Sequence, residues 1–275
     1  MGSHGAPLRR MIRRSRPLTR KTVEDPARTD LCKESTMNHD TDVERLLETC
    51  LHGERAEVRA CVAELLSGQA PDMLLTSVVL PAIERIERLD REDRVSASAL
   101  AVLNGAMRLA ANHIVDRLQA RPIRNDHTAG TLSVSLYCGG SAREAMQGEI
   151  MAAILEHDGH HVHFGGSGVP ADEILSEVGR GKPDLLLLFA SSASDGPAAR
   201  EVIDTIRSIG SRPEMQIVLA GGIFSRAPGL AEEIGADLWT DDPEALRLAI
   251  VEEADLRSTP AQRTVGRGRR ISRAA

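Results

Sequence analysis

The hydrophobic pattern of this 275-residue chain changes period at about Gly130, and the change limits the folds open to it. Before that point apolar residues recur every three or four positions, the spacing that puts one stripe on a helix. After it, short apolar runs alternate with helical stretches. The first part predicts four helices. TDVERLLETCLHG offers Thr41 or Asp42 as cap, Val43, Leu46, Leu47 and Cys50 as the apolar stripe, and Gly53 as the stop. ERAEVRACVAELLSG repeats the scheme and ends at Gly68. APDMLLTSVVLPAIERIERLDRED reads as a longer helix kinked at Pro81, because proline lacks the amide hydrogen and crowds the carbonyl four residues back. VSASALAVLNGAMRLAANHIVDRLQ, rich in small residues, is the fourth. Short connections among them predict a bundle over 41–120, followed by a linker, ARPIRNDHTAG, that occupies 121–130.

Over 131–255 the apolar runs 132–138, 161–164, 184–190, 216–220 and 236–239 each precede a loop. Helical stretches begin near Arg143, Pro170, Pro197, Pro228 and Pro243, four of them with proline where a first helical turn accepts it. Five such units predict an α/β domain: a flavodoxin-like five-stranded parallel sheet with helices on both faces and Leu185–Leu188 as its central strand. Ligands of these sheets sit outside the carboxyl ends of the strands, where the strand order reverses. Residues 139–147, 191–196 and 221–226 are therefore expected around one crevice.

Composition removes several classes of function. Aromatic residues make up 2% of the chain, with one Trp and one Tyr, too few for the ring platforms that hold single-stranded nucleic acid. The net charge of −6 conceals a segregation. Residues 1–36 carry nine Lys or Arg against four acids, and 257–275 carry six Arg and no acid, which leaves a net of −17 on residues 37–256. Such a body repels phosphate backbones, so any nucleic-acid contact belongs to the basic tails. The tails, 1–40 and 256–275, have no apolar periodicity and read as disordered. Cys32, Cys50, Cys61 and Cys138 form no CxxC pair, and three of them lie inside apolar patterns, as buried thiols in a reducing cytoplasm would. No apolar run reaches membrane-spanning length, and the arginine-rich start lacks the apolar region of a secretory signal.

A helical bundle followed by a five-stranded flavodoxin-like domain, in this order and size, resembles the cobalamin-binding module of methyltransferase corrinoid proteins and of B12-dependent light-sensing regulators. The likeness covers roughly 41–255. LLSGQAPDMLLTSVVLPAIERIERL is similar to the family's helical cap, and GHHVHFGGSGVPADEILSEVGRGKPDLLLLFASSAS to its second strand, valine-proline loop, helix and third strand. IVLAGGIF resembles its glycine pair, and AEEIGADLWTDDPEAL its closing strand and helix. The family's first loop reads Asp-x-His-x-x-Gly, the His reaching cobalt from below and the Asp orienting it. With Gly148 as the last glycine, Arg143 stands at the Asp position and Ala145 at the His position. The upper-face Trp and Glu-His pair of some relatives are likewise missing at the matching places, near Asp90 and near Leu100 and Ala101. The resemblance implies a cofactor site of Gly139, Gly140, Ala145, Gly148, Ser191, Ser192, Ser194, Gly221 and Gly222, holding cobalamin or a related tetrapyrrole without the usual axial His. The serines are equally ordinary turn residues, and the glycine pair equally a tight strand-to-loop turn.

HDGHHVH supplies His157, His160, His161 and His163, and His157, His161 and His163 are the candidates for a metal or haem site. Against this, His157 and His160 fall near a helix C-terminus and the other two on an edge strand. GGSGVP lacks the spacing and the Lys of a phosphate loop, and no Ser-His-Asp order, HExxH or paired-carboxylate site stands out. The expectation is a non-catalytic sensory or regulatory protein that acts through a protein partner, with homo-oligomerisation left open. The alternatives are a corrinoid carrier of a methyltransferase system, a haem-binding sensor and a ligand-free adaptor.

Overall fold

The computed structural model describes residues 26–124, 130–210 and 212–257, with side chains from His39 onward. The expectations for residues 1–25 and 258–275 lie outside the described residues. Helix α1 runs Pro26–His52, starting well before the predicted Thr41. The segment 26–40 has no apolar stripe to announce it, but after Pro26 it contains no proline or glycine to interrupt a helix already established further along. Helix α2 spans Arg55–Gly68. The third predicted helix is continuous but altered in its middle, with α3 at Pro71–Leu74, a π turn at Leu75–Val79 and α4 at Leu80–Arg91. The wider turn lies where Pro81 removes one hydrogen bond and crowds the preceding turn, so the helix passes its proline by loosening one turn. Helix α5, Ala97–Gln119, opens on Ser96, whose hydroxyl accepts from the Ala99 amide at 3.2 Å.

Strands β1 (Ser133–Cys138), β2 (His161–Ser167), β3 (Leu185–Phe189), β4 (Gln216–Ala220) and β5 (Leu238–Thr240) form one parallel sheet in the order β2-β1-β3-β4-β5. The order reverses between β1 and β3, which is where a ligand is expected. The crossovers are α6 (Ala142–His157), α7 (Ala171–Gly181), α8 (Asp195–Ile209) and the short pair α9 (Ile223–Arg226) and α10 (Leu230–Ile234), and α11 (Pro243–Glu252) closes the domain. Alternation along the strands divides the core in two. Leu136, Leu185, Leu187 and Val218 face α6, α11 and the bundle, whereas Leu186, Leu188, Ile217 and Leu219 face α7, α8 and α10.

The bundle is locked to the sheet domain at both ends. At one end Arg247 on α11 grips Asp158, after α6, with two bonds of 2.7 and 2.6 Å, and its guanidinium lies 3.7 Å from Asp72 on α3. All three residues are buried. At the other end Arg143 on α6 donates to Asp90 on α4 at 2.5 Å, with α4 over the carboxyl ends of the strands.

Candidate functional site

Beneath α4, a cleft of ≈ 600 Å³ is bounded by Glu87 and Arg91 from the bundle, Ser141, Arg143 and Glu144 from the head of α6, Ser191 and Ser192 after β3, and Arg226 on α9. Each wall is built from a local rule. Ser141 caps α6 by accepting from the Glu144 amide at 3.1 Å, while Glu144 accepts from the Ser141 amide at 3.0 Å, a capping box readable in the sequence as Ser-x-x-Glu. The same Glu144 carboxylate reaches across to β3 and accepts from the Ser191 amide at 2.5 Å. Ser191 O in turn accepts from Arg226.

Glu144 is 1% exposed, and burial, together with a hydrogen bond shared with Asp195, holds its carboxyl above the usual carboxylate range. Asp195 accepts from the Ser192 amide at 2.8 Å, so the two acids brace both sides of the loop after β3. They also enclose Gly139: a Cβ there would stand 2.6 Å from Asp195 Cγ and 2.7 Å from Glu144 Oε2. Glu87 is buried too, and desolvation pushes its carboxyl up to about 7 against the opposing pull of Arg143. Burial and the neighbouring Arg91 lower the Arg226 guanidinium. The cleft is therefore lined by ionisable groups arranged to donate and accept, with no imidazole or thiol among them.

The sequence-derived candidates fall in different places. Ser191 and Ser192 line the cleft; Gly139, Gly140 and Ser194 line a second hollow on the α7 and α8 side. Ala145, half-buried on α6, is outside both linings. Gly148 is buried against β1, where a Cβ would come within 2.3 Å of Cys138 Sγ. Gly221 has φ +112° and lies so near β3 that a Cβ would meet Ala190 O at 2.3 Å, a strand-to-loop turn only glycine can make. Gly222 is covered by Arg226, whose Nη1 would be 2.6 Å from a Cβ. The histidines do not converge. His157 is buried at the end of α6, and His160 Nδ1 meets the Leu132 amide at 3.3 Å, while His161 and His163 are exposed on the edge strand β2. Among the described residues no three His, Cys, Asp or Glu side chains are grouped to hold a metal ion. No described helix is long and apolar enough to cross a membrane.

Glu87 and Arg91, from the bundle, lie outside the segments expected around the crevice; Glu144 and Arg226 fall inside those segments without being singled out as site residues. The Ser-x-x-Glu spacing marks Glu144 as no more than a helix cap; its contact with Ser191 spans 47 residues and has no local signature.

No family model matches the chain. Over 93 residues it is 26% identical to dimethylamine corrinoid protein 3 of Methanosarcina mazei; the match takes in 34% of this chain and 54% of that protein, so the chain spans about half the length of this relative. The monomethylamine corrinoid protein of Methanosarcina barkeri has the same architecture, with a TM-score of 0.63 at 15% identity over 77% of this chain and 98% of that one. The chain carries the scaffold of the B12-binding domain family, a helical cap followed by a flavodoxin-like five-stranded domain, as corrinoid proteins do.

Proposed function

We propose that the protein binds a corrinoid in the cleft beneath α4 and presents it to a partner protein without itself making or breaking bonds. The observation that carries this reading is the position of the cleft. It lies at the carboxyl ends of the strands, at the reversal of strand order, under a helical cap of the corrinoid-protein type. Its lining suits the periphery of a corrin, whose carboxamide arms both donate and accept hydrogen bonds: Ser141 and Ser192 can do either, Arg91 and Arg226 donate, and Glu87 accepts. It does not suit the cobalt. In the register that the first-loop resemblance gives, Ala145 stands at the position of the family's imidazole; it is outside the cleft's lining, and no imidazole is among the lining residues. The corrinoid would be held by its edge and bound less tightly than one with a protein ligand to its metal.

A regulatory use of the same binding would act through the Arg143–Asp90 ion pair, which ties α6 to α4 beside the cleft. The test is equilibrium loading of the full chain with hydroxocobalamin, followed by gel filtration and an absorption spectrum. A coloured protein whose cobalt(II) form shows no protein nitrogen coupling in its electron paramagnetic resonance spectrum is the expected result. A colourless protein would leave the ligand-free adaptor as the reading.

A further inference from the structure

The cleft beneath α4 is basic in a body that is not. Residues 37–256 carry a net charge of −17, yet three of the five charged residues in the lining are arginines, Arg91, Arg143 and Arg226. They are not equally neutralised. Arg143 is paired with Asp90 at 2.5 Å. Arg226 donates to a carbonyl, Ser191 O, and lays its Nη1 over Gly222, so its hydrogen bond cancels no charge. Arg91 is paired with Glu87, but at 3.9 Å, beyond hydrogen-bond distance. The remaining acids are turned away or hold protons. Glu144 accepts from the Ser141 and Ser191 amides and shares a hydrogen bond with Asp195, and the buried Glu87, pushed up to about 7, carries only part of its charge near neutral pH. Glu87 and Glu84 offset only part of what burial and Arg91 do to Arg226, whose guanidinium stays below its ordinary range. Two guanidiniums that repel each other thus line one cleft, and an anion bound to both would relieve them.

The donors also fix the kind of anion. A carboxylate is satisfied by the fork of a single arginine. Here there are two forks, and Ser141, whose Oγ accepts from the Glu144 amide, keeps its own hydrogen to donate. A phosphate monoester offers three acceptor oxygens and a charge of about −1.5 to −2 at neutral pH, which suits three donor groups and two cations.

We propose that Arg91, Arg226 and the Ser141 hydroxyl form a binding site for the phosphate of a phosphomonoester. The site shares the cleft with the corrinoid proposed above and does not rest on that reading.

The test uses the full chain near neutral pH in dilute buffer, with phenyl phosphate, benzoate and hydroxocobalamin as probes, followed by calorimetry and amide chemical shifts. Phenyl phosphate is expected to saturate a single site whose shifts centre on residues 91, 141–143, 191–193 and 226, with benzoate about tenfold weaker or more, the value of one charge-assisted hydrogen bond. Arg91→Gln and Arg226→Gln should each weaken phenyl phosphate by about tenfold or more. Arg226→Lys should retain more affinity than Arg226→Gln, because it keeps the cation while losing the fork. Arg117→Gln combined with Arg121→Gln, exposed in a separate groove of the bundle, should leave uptake as in the parent. Absence of saturable uptake by the parent, parental uptake by a folded variant carrying both Arg91→Gln and Arg226→Gln, benzoate bound as tightly as phenyl phosphate, or equal weakening by the Arg117 and Arg121 substitutions would each overturn the proposal. Phenyl phosphate taken up by a protein that stays colourless with hydroxocobalamin would sink the corrinoid reading and leave the phosphate site standing; the reverse would sink the phosphate site alone.

Discussion

Arg143, at the head of α6, reaches out of the sheet domain and holds Asp90, near the foot of α4, with Nη2 and Oδ2 2.5 Å apart. The arginine side chain is 17% exposed and the aspartate 37%, so the pair is partly desolvated and joins two layers that otherwise meet across the cleft. By its resemblance to the corrinoid-protein loop, Arg143 stands for the loss of an aspartate. In the structure it is the gain of a bridge.

Arg143→Ala should cost about 1 kcal/mol in urea unfolding, the modest value for a pair whose carboxylate is still partly in water. Its larger effect should be local. Amide hydrogen exchange in α4 should accelerate while the central strands stay protected, because α4 loses its tie to α6 and the sheet keeps its own core. Uniform acceleration throughout the chain would mean that the pair supports the whole fold and not the closure of the cleft.

Glu87 predicts a pH dependence. Burial raises its carboxyl from 4.5 to about 7, so between those values the folded protein keeps a proton that the unfolded chain has released. The associated stability is fully present below about 4.5 and is lost as pH rises through 7. Glu87→Gln cannot ionise and escapes that loss. Its advantage over the parent in urea unfolding should be about 2 kcal/mol larger at pH 8 than at pH 5. An advantage that does not change with pH would show that Glu87 is ionised throughout that range.

The sequence disclosed the fold through local signals. Apolar spacing marked α2, α4 and α5, five apolar runs marked the strands, and Pro170 and Pro243 marked the starts of α7 and α11. Where no such signal existed, the reading stopped short: the first fifteen residues of α1 carry no stripe, and α9 is a single turn that no window could resolve. The site was less legible for the same reason. Ser191 and Ser192 could be placed because strand ends point to switch points, but Glu144 and Asp195 each look like an ordinary acid in a first helical turn. Their meeting around Gly139 is a product of packing across 51 residues and leaves no mark on either segment.

Two glycines that look alike in sequence should fail differently. Gly221→Ala places a Cβ against backbone, Ala190 O at 2.3 Å, in a conformation of φ +112° that alanine resists, so it should cost about 3 kcal/mol or more and give little soluble protein. Gly148→Ala meets mainly a side chain, Cys138 Sγ at 2.3 Å, and should cost about 1–3 kcal/mol. Adding Cys138→Ala should recover part of that loss, with Phe164 and Leu136 near enough to retain the rest. Thermal unfolding of the three variants decides the ranking. A second substitution that rescues nothing would mean the strain at Gly148 lies in the helix and not against β1.

If the cleft takes a corrinoid by its edge, a metal ligand can be sought at the position that the first-loop resemblance gives. Ala145→His would put an imidazole on α6 at the position that the resemblance gives for the family's His, and Arg143→Asp would place a carboxylate where the same register has the orienting Asp. Made alone, however, Arg143→Asp sets a carboxylate against Asp90 where an ion pair stood, and should destabilise the closure of α4 on α6 by more than Arg143→Ala does. Asp90→Arg repairs this by reversing the pair, and places the cation near the C-terminus of α4, where the helix dipole favours it. Of the two variants, the one carrying Ala145→His, Arg143→Asp and Asp90→Arg should therefore unfold later in urea than the one lacking Asp90→Arg. It should also bind hydroxocobalamin at least tenfold more tightly than the parent and show imidazole nitrogen coupling in the electron paramagnetic resonance spectrum of its cobalt(II) form. If this variant is folded and coloured but shows no nitrogen coupling, position 145 does not face the metal, and the corrinoid lies in the cleft in another orientation.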